Sequence, residues 1–313
     1  MPLQYLDDIA PFTGARTTVA IGVFDGVHRG HQEILRQAVA AAKPINAVPI
    51  ALTFDIHPEE LVAPGRAPGY VCSLEQRAEL ICSTVPGIET VIVIRFTPEF
   101  ASQSAENFTT QVLSGKLNAA QVLVGEDFRY GHARSGDRHT LKRDGERLGF
   151  DVTIVHPVQE DGVRISSTRV RDLIALGEVE AAARLLGHDV AIRGVVVTGK
   201  QLGRTIGFPT ANLRPDQVKQ VVPANGVYAA FAELPDGRME PAAVSVGTNP
   251  TTDTDGLRKV EAFLLNDFHE DLYDTQLTLH FVHRLRDEHR FDDLDALIIQ
   301  MNADVTLAKS LLL

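Results

Sequence analysis

Two imidazoles flank a glycine in the run Gly22-Val23-Phe24-Asp25-Gly26-Val27-His28-Arg29-Gly30-His31, and the chemistry they suit is the binding of an anion. Before the run lies Thr17-Thr18-Val19-Ala20-Ile21, β-branched and apolar as a buried parallel strand should be. After it, Gln32-Glu33-Ile34-Leu35-Arg36-Gln37-Ala38 reads as the opening of a helix. A loop placed there faces a helix N-terminus, where free backbone N–H groups and the positive end of the helix dipole favour a phosphate. Gly26 and Gly30 let the main chain approach without a Cβ in the way, and His28 and His31 add N–H donors. Two surface histidines at a turn, or half of a metal site, are the competing readings. A zinc site would want further Cys or His at tight spacing, and the two cysteines, Cys72 and Cys82, lie far off in sequence.

A second set of hydroxyls and cations lies at Ile165-Ser166-Ser167-Thr168-Arg169-Val170-Arg171. Hydroxyls just before a helix are ordinary N-caps. Arginines on a first helical turn oppose the dipole and call for an anionic partner, such as a triphosphate. A capped helix with solvated arginines is the alternative. A third set, Gly199-Lys200-Gln201-Leu202-Gly203-Arg204-Thr205-Ile206-Gly207-Phe208-Pro209-Thr210-Ala211-Asn212, joins three glycines and two cations to an extended P-T-A-N and reads as another phosphate cradle. It is not a Walker loop, because no G-K-[ST] leads into a helix. Thr210 and Asn212 share a face by the two-residue period, and a hydroxyl beside an amide oxygen can hold a magnesium ion that bridges ATP phosphates. Glu261, within Val260 to Leu265, shares a face with Phe263 and Leu265. A carboxylate on an apolar face is either a strand-end group reaching solvent or an ion pair, or a general base desolvated enough to take a proton from a hydroxyl.

These residues need elements to hold them. From Thr17 to about Ile154 short apolar runs alternate with helical stretches: residues 47–54, 90–94, 120–125 and 151–155 follow 17–21 as strands. That pattern predicts an α/β, Rossmann-like parallel sheet, whose ligands sit beyond the carboxyl ends of the strands. Three of the unusual segments fall at such ends: 22–31, Thr53 to Pro58, and Val124 to Gly131. After a helical pair, Arg169 to Leu176 and Val179 to Leu186, the character changes. Runs at 190–197, 226–232, 242–246, 260–265 and 276–282 predict a small antiparallel β-barrel, closed by an amphipathic helix over about Asp293 to Leu312. The expected domains are 1–186 and 187–313.

With 313 residues, two domains are the default. No apolar run reaches membrane-spanning length, and the first residues are acidic where a secretory signal would be basic and then apolar, so a cytoplasmic protein with reduced thiols is expected. A formal net charge of −11 argues against nucleic acid as partner; small molecules are the expected partners, and a homo-oligomer is compatible with the sequence.

The first run, G-x-F-D-G-x-H-x-G-H, resembles the nucleotidylyltransferase signature in the form found in bacterial bifunctional riboflavin kinase/FMN adenylyltransferases (FAD synthetases). Ile165-Ser166-Ser167-Thr168-Arg169-Val170-Arg171 is similar to the family's I-S-S-T-x-x-R. The resemblance implies ATP contacts at Gly22, Phe24, Asp25, Gly26, His28, Gly30, His31, Ser166, Ser167, Thr168 and Arg171. Thr53-Phe54-Asp55-Ile56-His57-Pro58 resembles T-F-x-x-H-P, and Val124-Gly125-Glu126-Asp127-Phe128-Arg129-Tyr130-Gly131 resembles V-G-x-D-F-x-F-G, which implies flavin contacts at Asp55, His57, Pro58, Asp127 and Phe128. For Asp127 and Phe128 a loop with a buried aromatic anchor is the alternative; Phe128 and Tyr130 could equally stack on an isoalloxazine. The glycine-rich P-T-A-N run followed by Val260-Glu261 resembles the riboflavin kinase domain, with Gly199, Gly203, Gly207, Thr210 and Asn212 on magnesium–ATP and Glu261 activating the ribityl hydroxyl.

The chain departs from the family at Thr252, where an aromatic is usual, and at Asp274, where glycine is usual. Both departures bear on a loop over the flavin, and so on kinase efficiency rather than kinase identity. The implied activity is bifunctional: riboflavin to FMN, then FMN to FAD, each from ATP with Mg2+. An adenylyltransferase for nicotinamide mononucleotide or phosphopantetheine would leave the second half unexplained. An aminoacyl-tRNA synthetase is opposed by the acidic charge, and a flavin- or nucleotide-sensing protein without turnover by the intact His28, His31, Thr210, Asn212 and Glu261.

Overall fold

The computed structural model describes residues 3–199, 207–248, 258–266, 268, 270–291 and 293–313. Gly203 and Thr252, and with them Lys200 and Arg204, lie outside the described residues. The chain divides into two compact units, residues 1–68 with 74–166, and residues 69–73 with 167–313.

Unit 1 is built on six parallel strands: β1 (Leu3–Tyr5), β2 (Thr17–Ile21), β3 (Val48–Phe54), β4 (Val91–Ile94), β5 (Ala119–Gly125) and β6 (Asp151–Val155), in the spatial order β1-β4-β3-β2-β5-β6. From β2 the sheet grows outward through β3 and β4 on one side and through β5 and β6 on the other. The direction reverses beside β2, where a doubly wound sheet opens its ligand crevice. β2 is buried along its whole length, as the β-branched run predicts. Both sheet faces are covered. Val19, Ile21, Leu52, Ile92 and Val122 enter one core, and Ala20, Ala51, Val91, Val93 and Leu123 the other.

The crossovers are α1 (Arg29–Ala42), the single turn α2 (Glu59–Val62), α3 (Leu74–Thr84), the single turns α4 (Pro98–Ala101) and α5 (Ala105–Asn107) leading into π-helical turns over Phe108–Lys116, and α6 (Arg138–Leu148). α1 buries Leu35, Ala38 and Ala42 at helical spacing. α6 opens on a capping box: Asp137 accepts from the backbone of His139 and Thr140, and the Thr140 hydroxyl accepts from the Asp137 N–H. Those bonds hold the Asp137 carboxyl below its usual range. A hairpin, β7 (Gln159–Glu160) and β8 (Val163–Arg164), follows β6.

Unit 2 opens with α7 (Ser167–Leu176) and α8 (Val179–Leu186) and continues into a closed antiparallel barrel. Its strands are β9 (Val190–Val197), β10 (Ala211–Pro215), β11 (Gly226–Glu233), β12 (Met239–Gly247), β13 (Lys259–Leu264) and β14 (Gln276–Arg286), in the order β10-β13-β12-β11-β14-β9, with β9 returning to β10. The alternation of each strand sends Ile192, Tyr228, Val244, Val260, Leu264 and Phe281 to the buried side. α9 (Leu294–Leu312) is capped by Asp293 and packs on β11, β12 and β14. By packing, α7 and α8 lie with the barrel, while the change in sequence character falls after α8.

Glu261 and Phe263 do share a face, but the barrel interior belongs to Val260, Ala262 and Leu264 between them. Glu261 is half-buried, and on its face Phe263 and Leu265, the latter just past the strand, both pack into the apolar cluster beneath α9.

Candidate functional sites

The H-x-G-H segment leaves β2 through a turn whose backbone is left-handed at Phe24 (φ 52°), Gly26 (φ 73°) and Val27 (φ 42°). Only Gly26 adopts that region without steric cost. Phe24, Asp25 and Val27 are buried, and a Cβ on Gly22 would stand 2.8 Å from the Phe24 ring. His28, 6% exposed, is the N-cap of α1: its Nδ1 accepts from the His31 backbone N–H at 3.2 Å. The two imidazoles stack with centroids 3.6 Å apart, and the Phe24 ring meets His31 edge-on at 5.4 Å. A Cβ on Gly30 would lie 3.1 Å from His28 Cε1 and 3.2 Å from Nδ1. Gly30 thus makes room for the His28 ring, beyond the open backbone that its spacing implies. The first turn of α1 carries no acid to cancel the dipole. Arg29 is paired with Glu160 of the β7–β8 hairpin.

The hairpin's role has a legible signal in Asp161-Gly162, with φ of 54° and 74°, the dipeptide that two-residue hairpins favour. The hairpin returns Ile165 to the α1 terminus, its carbonyl 3.9 Å from the Cβ position of Gly30. Ser166 is the next residue and the last of unit 1. Ser167, Thr168 and Arg171 lie on the opening turn of α7 in unit 2.

β3, β2 and β5 are neighbours, so the segments after them line up at one sheet edge. Beyond β3, Asp55 Oδ1 accepts from the backbone of Ile56 and Phe96, both at 2.8 Å, and ties the ends of β3 and β4 together. His57 Nδ1 accepts from Glu59 N at 3.2 Å, next to Pro58 at the start of α2. Beyond β5, Asp127 is exposed and paired with Arg164, while Phe128 stacks on Tyr130 at 5.4 Å. These two rings end an aromatic row that runs from Phe54 through Phe96, Phe100 and Phe108 to Tyr130. Burial pushes the Tyr130 hydroxyl up from its ordinary value, so at neutral pH it stays a neutral hydrogen-bonding group.

In unit 2 a cleft of about 540 Å³ is lined by Gly199, Gly207, Thr210, Asn212, Phe263 and Tyr273, among others. Thr210 Oγ1 donates to Glu261 Oε2 at 3.2 Å, and Asn212 lies opposite Glu261 in the β10–β13 ladder. A Cβ on Gly199 would fall 2.3 Å from Asn212 Nδ2 and 2.7 Å from Oδ1; the glycine leaves the place that the amide occupies. Gly207, at φ 86°, precedes the P-T-A-N run. Asp274, the residue after the cleft-lining Asp271, Leu272 and Tyr273, sits in the left-handed region at φ 60°, which is why glycine suits that position and why aspartate, tolerant of the conformation, can stand in for it. Glu270, also on the cleft, is held ionised below its usual range by a hydrogen-bonded pair with Arg238.

Hydroxyl and amide oxygens are hard donors that suit Mg2+ with ATP phosphates supplying the remaining ligands. Among the described residues no cluster of three or more His, Cys, Asp or Glu could hold a metal. No helix among the described residues is long and apolar enough to cross a membrane. Cys72 is buried and Cys82 half-buried, and both are free thiols; burial pushes the Cys82 thiol up.

A Rossmann-like sheet with an H-x-G-H turn at its point of reversal, joined to a six-stranded barrel with its own cleft, defines a two-unit transferase. The family model for FAD synthetase matches residues 13–169 and that for riboflavin kinase residues 186–312. A bifunctional riboflavin kinase/FMN adenylyltransferase of Pseudomonas fluorescens is 38% identical over 291 residues, 93% of this chain and 91% of the relative. One from Escherichia coli (strain K12) is 37% identical over 300 residues, 96% and 93%. A crystal structure described as a macrolide-efflux protein from Streptococcus pneumoniae is similar over 99% of both chains, with TM-score 0.86 and 31% identity. The chain belongs to the bifunctional riboflavin kinase/FMN adenylyltransferase family.

Proposed function

We propose that unit 2 transfers the γ-phosphoryl group of ATP to riboflavin and that the H-x-G-H site of unit 1 adenylylates the FMN so formed. In the first reaction the terminal ribityl hydroxyl attacks the γ-phosphorus, the bond to the β,γ-bridging oxygen breaks, ADP leaves and the hydroxyl proton passes to Glu261. The Thr210 hydrogen bond orients that carboxylate. Thr210 and Asn212 would hold Mg2+, which when bound neutralises charge on the ATP phosphates; Gly199 and Gly207 shape the cradle around them, and Gly203 belongs to it by motif.

In the second reaction an FMN phosphate oxygen attacks the α-phosphorus of ATP and pyrophosphate leaves. No covalent enzyme intermediate is needed, so positioning and charge stabilisation carry the rate. His28 and His31 supply N–H donors at an α1 terminus whose dipole no first-turn acid opposes, with Gly22, Phe24, Asp25, Gly26 and Gly30 fixing the turn. Flavin contacts are assigned to Asp55, His57, Pro58, Asp127 and Phe128. For Ser166, Ser167, Thr168 and Arg171 the phosphate-binding role rests on the motif.

The observation that carries the bifunctional reading is the Thr210–Glu261 pair beside the barrel cleft, which an adenylyltransferase alone would not use. The test is to incubate the protein with ATP, magnesium and either riboflavin or FMN and to separate the flavins over time. Riboflavin should give FMN and then FAD. His28→Ala should stop at FMN, and Glu261→Gln should make FAD only from supplied FMN. Loss of both activities in both variants would overturn the two-site assignment.

A further inference from the structure

We propose that Arg77 is a positioning residue for adenylylation, a buried guanidinium that sets the H-x-G-H turn through the hydroxyl of Thr53. The inference rests on the reading of unit 1 just given. Arg77 lies on α3 and is 1% exposed, among the largest fully buried side chains, while its helix neighbours Ala78 and Ile81 enter the apolar core. Among the described residues no carboxylate pairs with it and its Nε meets no acceptor. Burying an uncompensated cation costs several kcal/mol where an apolar side chain would stabilise the core. A residue that breaks this rule points to a return elsewhere.

The hydrogen bonds show where that return lies. Arg77 Nη1 donates to the Phe54 carbonyl at 2.8 Å and to Thr53 Oγ1 at 3.3 Å. Thr53, itself fully buried, donates from Oγ1 to the Val23 carbonyl at 2.9 Å. A guanidinium has no acceptor. With Arg77 donating into the hydroxyl oxygen, the Thr53 proton is directed onward to Val23. Val23 immediately precedes the left-handed Phe24, Gly26 and Val27. Each non-glycine residue in that region costs about 1–2 kcal/mol, and such a turn persists only where its surroundings over-determine it. α3 also packs against the Asp25–Val27 turn, so helix, strand end and turn form one braced unit. His28 and His31 follow within a few residues and inherit their placement from it.

The test measures FMN adenylylation and riboflavin phosphorylation separately in wild type, Arg77→Met, Thr53→Val, Thr53→Ser and the Arg77→Met/Thr53→Val double variant. Arg77→Met and Thr53→Val should each lower kcat for adenylylation by about tenfold or more while KM for ATP and FMN stays within about threefold. The double variant should be no worse than the weaker single one within about twofold, because the two side chains act through one bond. Phosphorylation of riboflavin should hold within about twofold, and Thr53→Ser, which keeps the hydroxyl, should recover most of the adenylylation rate. If Arg77→Met does not fold, the contrast between Thr53→Val and Thr53→Ser decides. Unchanged adenylylation in Thr53→Val, multiplicative losses in the double variant, or a parallel fall in both activities would overturn the proposal. Wild-type protein that cannot convert FMN and ATP to FAD would overturn the reading of unit 1 itself, whereas active wild type with unaffected variants would overturn only the role of Arg77.

Discussion

At the residue scale, the barrel cleft turns on a few contacts that leave little freedom. Gly199 has no Cβ because the Asn212 amide occupies its place, 2.3 Å from where that carbon would stand, well inside any tolerated contact. Gly199→Ala should therefore displace the amide and raise KM for ATP in riboflavin phosphorylation by about tenfold, while FMN adenylylation stays unchanged; steady-state kinetics of the two half-reactions check both. Asp274 makes the opposite case. Its backbone already adopts the left-handed geometry, at φ 60°, and its N–H donates to the Val196 carbonyl at 2.9 Å. The loop that carries the cleft residues Asp271, Leu272 and Tyr273 is thus formed without the family's glycine. Asp274→Gly should leave kcat for phosphorylation within about twofold and shift unfolding free energy by less than about 1 kcal/mol. A large gain in kcat would mean that the aspartate distorts the loop.

At the scale of elements, α9 is fastened to the barrel by a buried pair as well as by apolar packing. Arg286 reaches Asp304 through Nη2 at 2.6 Å and Nε at 2.9 Å, Gln300 donates to the same carboxylate, and the two charged side chains are 18% and 8% exposed. Asp304→Ala leaves Arg286 buried without its partner and should destabilise unit 2 by about 3 kcal/mol or more, read as a lower urea midpoint with an unchanged slope. The long elements were legible because burial imposes a pattern on them: β2, β6, β9 and α9 stand where their apolar runs place them, and Asp293 caps α9 as an aspartate before a helix should. Elements too short for periodicity were not. β1 has three residues and takes its place by pairing with β4, and β10 is fixed by its ladder to β9 and β13 rather than by its own alternation. The hairpin after β6 carried the Asp161-Gly162 signal, yet two-residue strands gave it nothing to frame. Which face of β13 lines the barrel could not follow from alternation alone, since Glu261 and Val260 each head a plausible face. Arg77 had no signal at all: a lone arginine on an amphipathic helix reads as solvated until the fold buries it.

At the scale of the whole molecule, each unit carries its own closed core, two apolar layers about the sheet in unit 1 and the barrel interior in unit 2. The histidines of the proposed adenylylation, His28 and His31, belong to unit 1, whereas Thr210, Asn212 and Glu261 of the kinase belong to unit 2 together with the adenylylation motif residues Ser167, Thr168 and Arg171, so His28→Ala and Glu261→Gln each remove a group that only one of the two reactions uses. Two lesions in different molecules should therefore complement one another through free FMN. His28→Ala protein given riboflavin and ATP should accumulate FMN, and Glu261→Gln protein should leave riboflavin unchanged. Mixed, the two should produce FAD after a lag set by the FMN concentration that the intact adenylylation site requires. Added FMN should abolish the lag, and dilution of both proteins should lengthen it, as for any intermediate that crosses bulk solvent. FAD formation by the mixture with no lag at any dilution would mean that FMN is handed over without release, and no FAD from the mixture, with each partner active in its own half-reaction, would mean that only FMN made within the same molecule is used.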